Sequence, residues 1–388
     1  MNTRILRWIT GALLIALSAC QDDQDNTRVR RTIIVYLAGD NSLSSYMVKN
    51  IADMQQGMKR TDCRLVVYFD GSSTAPELFE IAPTRGDTVI KQNVISYPEE
   101  NSGTPGTLRR VIEEAKALYP ADSYGLILGS HATGWLPAGA KISALSIAER
   151  LEEERPLTRT FGEDKSSASA QMDVREMADA IPPGFEFIFF DACMMSAIEV
   201  IHELRDKTRY VIATPAEIVA EGFPYAAILS YFWGDVNDLK KACEYFYNLY
   251  DRNQKSFFAS IALLDLAGLD ELYTIAREVF SGKKDEVAAI PASAFPGTIF
   301  KYPRINIPSD VYFDLREFVK YMATDEQFRR FESQLEKVVV YQNITDPFWE
   351  TSIPDKTRAC GISTYIPREA WATWNTEYFK LSWSGIYQ

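Results

Sequence analysis

Residues 185–193, FEFIFFDAC, run through a nearly continuous apolar block and stop on an acid, a small residue and a cysteine. A run this short and this apolar reads as a strand buried on both faces, as in a parallel sheet. Four other runs share its character: TIIVYLA at 32–38, RLVVYFD at 64–70, YGLILG at 124–129 and YVIAT at 210–214. Amphipathic helices are expected between them. Leu43, Met47, Ile51, Met54 and Met58 keep helical spacing, as do Leu108, Val111, Ile112, Ala115 and Leu118. Asp173 and Glu176 are placed as a capping box for a helix with Val174, Met177, Ala178 and Ile181 on one face. Strands of this kind alternating with helices predict an α/β fold, its mostly parallel central sheet covered on both faces.

The chain has 388 residues, 46% hydrophobic and 24% charged, enough for a sizeable core in one large or two ordinary domains. Its formal net charge of −12 leaves no basic stripe for phosphates, which argues against a nucleic-acid partner and would attract a cationic substrate. At the N-terminus, Arg4 and Arg7 precede a short apolar stretch from Trp8 to Leu17. That stretch is too short to span a bilayer and has the layout of a secretory signal. The ending LSAC resembles the bacterial lipobox, which implies a signal peptide over 1–19 and acylation of the Cys20 thiol. Residues 20–31 then form a polar tether, whose acidic start resembles the surface-export signal of lipoproteins in some Gram-negative anaerobes. The expectation is an exported lipoprotein, surface-exposed on the outer membrane or on the periplasmic face, that meets the membrane through its lipid only.

Five cysteines, one of them Cys20, are too few for a disulfide scaffold. Cys243 falls in a helical row with Leu239, Ala242 and Phe246, and Cys63 and Cys360 stand beside strand-like runs, so all three read as core residues. With two histidines and no CxxC or HExxH, no motif offers a metal site. From about Lys141 to Ala170 the chain is rich in Ser, Glu, Lys and Arg without periodicity, and reads as a long exposed loop. After residue 275 prolines punctuate an irregular region, Val311, Leu315, Phe318 and Met322 mark one more helix, and VVVYQ and GISTYI look like strands. The organisation expected is a main domain over 32–275 with a smaller C-terminal subdomain, 276–388, packed on it.

Two strand ends carry reactive side chains. YGLILGSHATGW puts His131 just past one apolar strand, and FEFIFFDAC puts Cys193 just past another. In open parallel sheets the carboxyl ends of strands share the edge where ligands bind, so the two can be neighbours. An imidazole beside a thiol favours the thiolate that attacks a carbonyl. Met194, Ala197, Ile198 and Ile201 suggest a helix beginning just after Cys193, with its N-terminus stabilising that thiolate. Taken singly, His131 reads equally as a loop histidine and Cys193 as a buried thiol. His202, inside that following helix, reads as a surface or flanking residue.

His131 after one strand and Asp-x-Cys after another resemble the caspase-like cysteine peptidases, and FDACMMS resembles the clostripain family in particular. YLAGDNSL after the first strand, ATPAEIVAEGFPY after the fifth and GISTYIP near the end extend the resemblance over roughly 32–388. It implies a caspase-like three-layer α/β/α sandwich and cleavage of peptides or proteins after Arg or Lys through a thioester acyl-enzyme. It further implies His131 as general base, Cys193 as nucleophile, the backbone N–H groups of Ala132 and Cys193 as oxyanion donors, and Asp191 as the acid of the specificity pocket, with Glu217 as a second acid. Asp191 reads otherwise as an N-cap. The family usually has Gly where Ala132 stands; a positive φ there would strain an alanine. The resemblance also implies self-cleavage in the 141–170 loop, at Lys141, Arg150, Arg155, Arg159 or Lys165. Clostripain-like enzymes include calcium users, but no EF-hand-like carboxylate spacing appears here. No other cofactor is implied. The alternatives are a catalytically silent peptide-binding lipoprotein of the same fold and a peptidase of acidic preference, the second opposed by the charge of Asp191.

Overall fold

The computed structural model describes residues 28–84, 88–136, 161–164, 172–252, 258–291, 299–303, 311–348 and 351–388. Cys20 and the five processing candidates Lys141, Arg150, Arg155, Arg159 and Lys165 lie outside the described residues.

All five expected strands form. They are β1 (Val29–Gly39), β2 (Cys63–Gly71), β5 (Ala121–Gly129), β6 (Phe185–Asp191) and β7 (Thr208–Ala213), and they lie parallel in the spatial order β7-β6-β5-β1-β2. The apolar runs make this necessary: Ile33 to Leu37, Leu65 to Tyr68, and Phe187 to Phe190 are all buried. Each such side chain removed from water contributes about 1.5–3 kcal/mol. Around this parallel centre the sheet is antiparallel. β3 (Thr74–Pro83) and β4 (Val89–Ser96) extend it past β2, while β8 (Ser260–Asp265) and β10 (Val339–Ile344) extend it past β7, giving nine strands.

Sequence reading misses β3, β4 and β8. β4 is an edge strand with mostly exposed side chains, so it carries no buried run. β8 is short and apolar, which periodicity cannot separate from a helix. In the C-terminal part, VVVYQ supplies β10 to the main sheet, while β9 (Phe313–Asp314) and β11 (Ser363–Thr364) pair with each other.

Helices cover the sheet on both faces. α1 (Ser44–Gly57) packs on α5 (Tyr225–Ile228), which meets α6 (Val236–Asp251); α2 (Pro105–Leu118) packs on α3 (Val174–Ala180), which meets α4 (Ile198–Glu203). The crossover through α1 runs one way along the sheet and those through α2, α3 and α4 run the other. The right-handed rule therefore puts the two sets on opposite faces, as in a three-layer α/β/α sandwich. Local signals match: Thr104 caps α2 with Pro105 in its first turn, and Asp173 and Glu176 form the expected capping box on α3.

Two local expectations are corrected. The chain turns through Cys193–Ser196 before α4 begins at Ile198, so the helix N-terminus does not stand at the cysteine. Met194 is the reason: its φ of 62° is incompatible with a helix, and Ser196 is drawn instead to the carbonyls of Thr214 and Gly361. His202 is not at the surface. It is buried between Tyr273 and Trp383, and its Nδ1 lies 2.7 Å from Ser382 Oγ.

Candidate active site

Gly129 of β5 and Asp191 of β6 are register partners in adjacent parallel strands. His131 and Cys193 each follow two residues later, at equivalent positions on the carboxyl edge of the sheet. This is also where strand order reverses, with β2 on one side of β1 and β5 on the other. Such switch points leave a crevice above the strand ends.

The imidazole is held from the β1 side. Ser42 Oγ lies 2.8 Å from His131 Nε2, and Glu163 Oε2 lies 3.8 Å from the same nitrogen. Ser42 belongs to the turn after β1 in which Asn41 bonds back to the Ala38 carbonyl and reaches across to the Glu163 carbonyl, each at 2.9 Å. One asparagine thus ties both neighbours of the histidine into a single network. Glu163 is mostly buried, and a carboxylate at that distance attracts an imidazolium.

Cys193 is half-buried, whereas Cys63, Cys243 and Cys360 are buried, and among the described residues all four are free thiols. The Ile218 N–H points at the Cys193 sulfur from 3.4 Å. A donor there favours the thiolate, the role that sequence reading had given to a helix N-terminus. Ile218 lies in the ATPAEIVAEGFPY segment, which wraps the cysteine turn: Met194 N donates to the Ala216 carbonyl and Ser196 N to that of Thr214.

Asp191 ends β6 and caps no helix. Tyr225 Oη donates to its Oδ2 at 2.9 Å, and Asn50 Nδ2 stands 3.5 Å away. Burial pushes the carboxyl up to about 6 against the lowering effect of the tyrosine bond. Gly222 closes on the same group: its φ is +66°, and a Cβ there would sit 3.1 Å from Asp191 Oδ1. Tyr250 Oη fixes that turn by donating to the Gly222 carbonyl at 2.7 Å. The result is a carboxylate held closely by Tyr225, Asn50 and the Gly222 turn, where a cation would relieve its desolvation. Glu217 is half-buried next to Ile218.

Ala132 is buried and bridges antiparallel to Phe161, and Gly162 N donates to the His131 carbonyl at 3.2 Å. Among the described residues, the non-glycine positions with positive φ are Asn93 and Met194. Alanine therefore meets no left-handed strain at position 132.

Sequence reasoning missed Ser42, Glu163, Ile218, Tyr225 and Asn50. Ser42, Ile218 and Tyr225 lie inside quoted motifs, but Ile218 acts through its backbone and Glu163 comes from an aperiodic loop. One further grouping was hidden. Side-chain oxygens of Asp40, Glu99 and Asp164 lie within 4.8 Å of one another, close enough to share a metal ion, and they come from three separate segments.

A model of the clostripain family matches residues 35–386. The chain belongs to the clostripain family of cysteine peptidases. Clostripain of Hathewaya histolytica is 23% identical over 230 residues, spanning 52% of this chain and 42% of clostripain. The chain is thus matched to less than half of that relative's length. Two solved structures are similar over nearly their whole length. The inactive zymogen C11 protease from Parabacteroides distasonis has a TM-score of 0.77 at 31% identity, covering 93% of this chain and 99% of its own. A secreted C11 cysteine protease from Bacteroides thetaiotaomicron, in complex with an irreversible peptide inhibitor, has a TM-score of 0.76 at 25% identity, covering 92% and 99%. Family members thus share this sheet and helix arrangement from end to end. Among the described residues no helix is long and apolar enough to cross a membrane.

Proposed function

We propose that this chain is a cysteine endopeptidase that cleaves peptide bonds after Arg or Lys. The observation that carries the reading is the equivalent placement of His131 and Cys193, two residues beyond the paired Gly129 and Asp191. The Cys193 thiolate, favoured by the Ile218 N–H, attacks the scissile carbonyl carbon, and the oxyanion takes hydrogen bonds from the Ala132 and Cys193 N–H groups. The imidazolium of His131 then gives its proton to the leaving amine, leaving a thioester. Water attacks the thioester carbon, His131 takes the water's proton, and the thiolate departs from the acyl carbon as the acid is released.

Asp191 receives the guanidinium or ammonium of the residue before the cut. A bidentate Arg–carboxylate pair in a recess is among the stronger polar contacts, and it supplies selectivity against acidic side chains. Glu217 adds negative charge beside the cysteine turn. The silent-binder alternative rested on strain at Ala132, and that residue has no positive φ.

The chain is further read as an exported lipoprotein acylated at Cys20, with a peptidase domain over 32–275 and a C-terminal subdomain after it. It is made as a precursor and cut in the 141–170 loop at one of Lys141, Arg150, Arg155, Arg159 and Lys165. The zymogen and secreted states described for the two similar proteases support this reading.

The test offers fluorogenic peptides ending in Arg, Lys or Asp to the purified protein and to its Cys193→Ala variant. Turnover of the Arg and Lys peptides by the wild type alone is the expected result. No turnover, or equal turnover by the variant, rejects it.

A further inference from the structure

The loop that carries His131 and the turn that carries Cys193 leave the sheet at the ends of β5 and β6, beyond the last paired residues, Gly129 and Asp191. Past that point they meet again, backbone to backbone. Gly134 has a φ of +62°, and a Cβ there would stand 2.7 Å from the Met194 carbonyl oxygen, closer than a side chain permits. Met194 directly follows the cysteine. Loops without ladder bonds open at little cost, so an approach this close needs a restraint from outside.

The C-terminal part of the chain supplies one to each loop. Tyr312, just before β9, is fully buried; its ring lies 3.4 Å from the same Cβ position, and its Oη donates to the Thr133 carbonyl. β9 pairs with β11, Asp314 opposite Ser363 and Phe313 opposite Thr364. β11 in turn bridges to the cysteine turn, where Ser363 pairs with Ala197 and its N–H donates to the Ser196 carbonyl at 2.9 Å. Ser196 Oγ donates to the Gly361 carbonyl at 2.6 Å. One two-stranded sheet thus grips the histidine loop through Tyr312 and the cysteine turn through Gly361 and Ser363. Asp314 holds that sheet together. Buried in β9, it accepts from Tyr302 Oη at 2.9 Å, Cys360 N at 2.6 Å and Glu317 N at 3.1 Å, while Tyr302 Oη accepts from Gly361 N at 2.9 Å.

We propose that Tyr312 is a positioning residue for the peptidase reaction, setting the reach from His131 to Cys193 by holding the histidine loop on the cysteine turn. The inference rests on the reading of those two residues as base and nucleophile. Tyr312 acts through Thr133 and Gly134, two and three residues past the histidine. A displacement of about 1 Å between reacting groups can cost 10²-fold in rate, so loosening this grip should appear in kcat rather than in KM.

The test compares purified wild type with Tyr312→Phe, which keeps the ring and removes the hydroxyl, and with Ser196→Ala, which releases the cysteine turn from the Gly361 carbonyl. Three quantities are measured on each: kcat and KM for an Arg peptide, melting temperature, and the pH dependence of Cys193 alkylation by iodoacetamide, read by mass on the peptide that contains it. Alkylation needs no turnover. Each variant should lower kcat by about tenfold with KM changed less than about twofold, and raise the alkylation midpoint by about 0.5–1 pH unit, toward that of an ordinary thiol. Melting should stay within a few degrees of the wild type. Tyr97→Phe, whose hydroxyl donates to Glu114 of α2 at 2.9 Å, should move none of these. His131→Ala separates the two readings. If it leaves the alkylation midpoint in place, the reading of His131 as base fails and this inference with it. If it moves the midpoint and either Tyr312→Phe or Ser196→Ala does not, this inference alone is overturned. A fall in kcat that tracks melting temperature, with the midpoint unmoved, assigns Tyr312 to packing and overturns it too.

Discussion

The His131 imidazole and the Ser42 hydroxyl meet at 2.8 Å, joining the ends of β5 and β1 across the reversal in strand order. The contact fixes one ring nitrogen on the side of the site away from β6, where Cys193 emerges. If Ser42 orients the ring without entering the chemistry, Ser42→Ala should lower kcat about tenfold with little change in KM. The pH–rate profile should also shift, since the hydroxyl touches the titrating nitrogen. Unchanged kcat and an unmoved profile would leave Ser42 as a packing residue only.

Removing the sulfur is the sharper test. If the two act as one unit, Cys193→Ala should lower kcat for Arg peptides by at least about 10³-fold, and His131→Ala by a similar factor. Both variants should melt within a few degrees of the wild type, since neither side chain is fully buried. Measuring kcat and melting temperature on the same preparations separates chemistry from folding.

If Asp191 receives the basic side chain of the substrate, selectivity should depend on pH. Its carboxyl titrates near 6, above the usual aspartate range, so the group is charged above that pH and protonated below it. The kcat/KM for Arg and Lys peptides should therefore fall by up to about tenfold per unit as pH drops below 6. Asp191→Asn should cost about 10²-fold in kcat/KM at pH 7.5 and flatten this part of the profile. A steep profile persisting in the asparagine variant would assign the titration elsewhere.

Gly222 gives room to that carboxylate. Gly222→Ala places a methyl near both Asp191 oxygens and Asn50 Nδ2 and forces an L-residue to a φ of +66°. It should cost about 1–2 kcal/mol of stability by denaturant titration. Its larger effect should be on KM for Arg peptides, with the smaller Lys ammonium affected less. Equal KM changes for a peptide with no basic residue would mean that the methyl disturbs the whole groove.

His202 predicts an acid-side loss of stability. Burial, with a lesser effect from Arg205, lowers its pKa to about 3. The unfolded chain binds a proton near pH 6.5 that the folded chain refuses, so this stability is present above 6.5 and lost as pH falls toward 3. At pH 5 the loss is roughly 2 kcal/mol for this one group. Urea unfolding of wild type and His202→Gln at pH 7.5 and 5 should show the difference between them shrinking by about that amount at pH 5.

Amino-acid order alone determined the parallel centre of the fold, because strands buried on both faces must be apolar along their length. It also pointed to His131, Asp191 and Cys193, whose polarity breaks those runs at their ends. The antiparallel flanks were less legible: β4 is half in water and β8 is too short to show a period. Tertiary structure alone decided how the strand ends meet. The register of Gly129 with Asp191 gives His131 and Cys193 equivalent places, and Met194's left-handed backbone puts the Ile218 N–H, rather than a helix, behind the sulfur. The grouping of Asp40, Glu99 and Asp164 has no spacing to read, because loop packing brings its members together. Burial patterns are local and periodic, and so they are written along the chain. Contacts among loops depend on distances between residues far apart in sequence, and folding alone sets them.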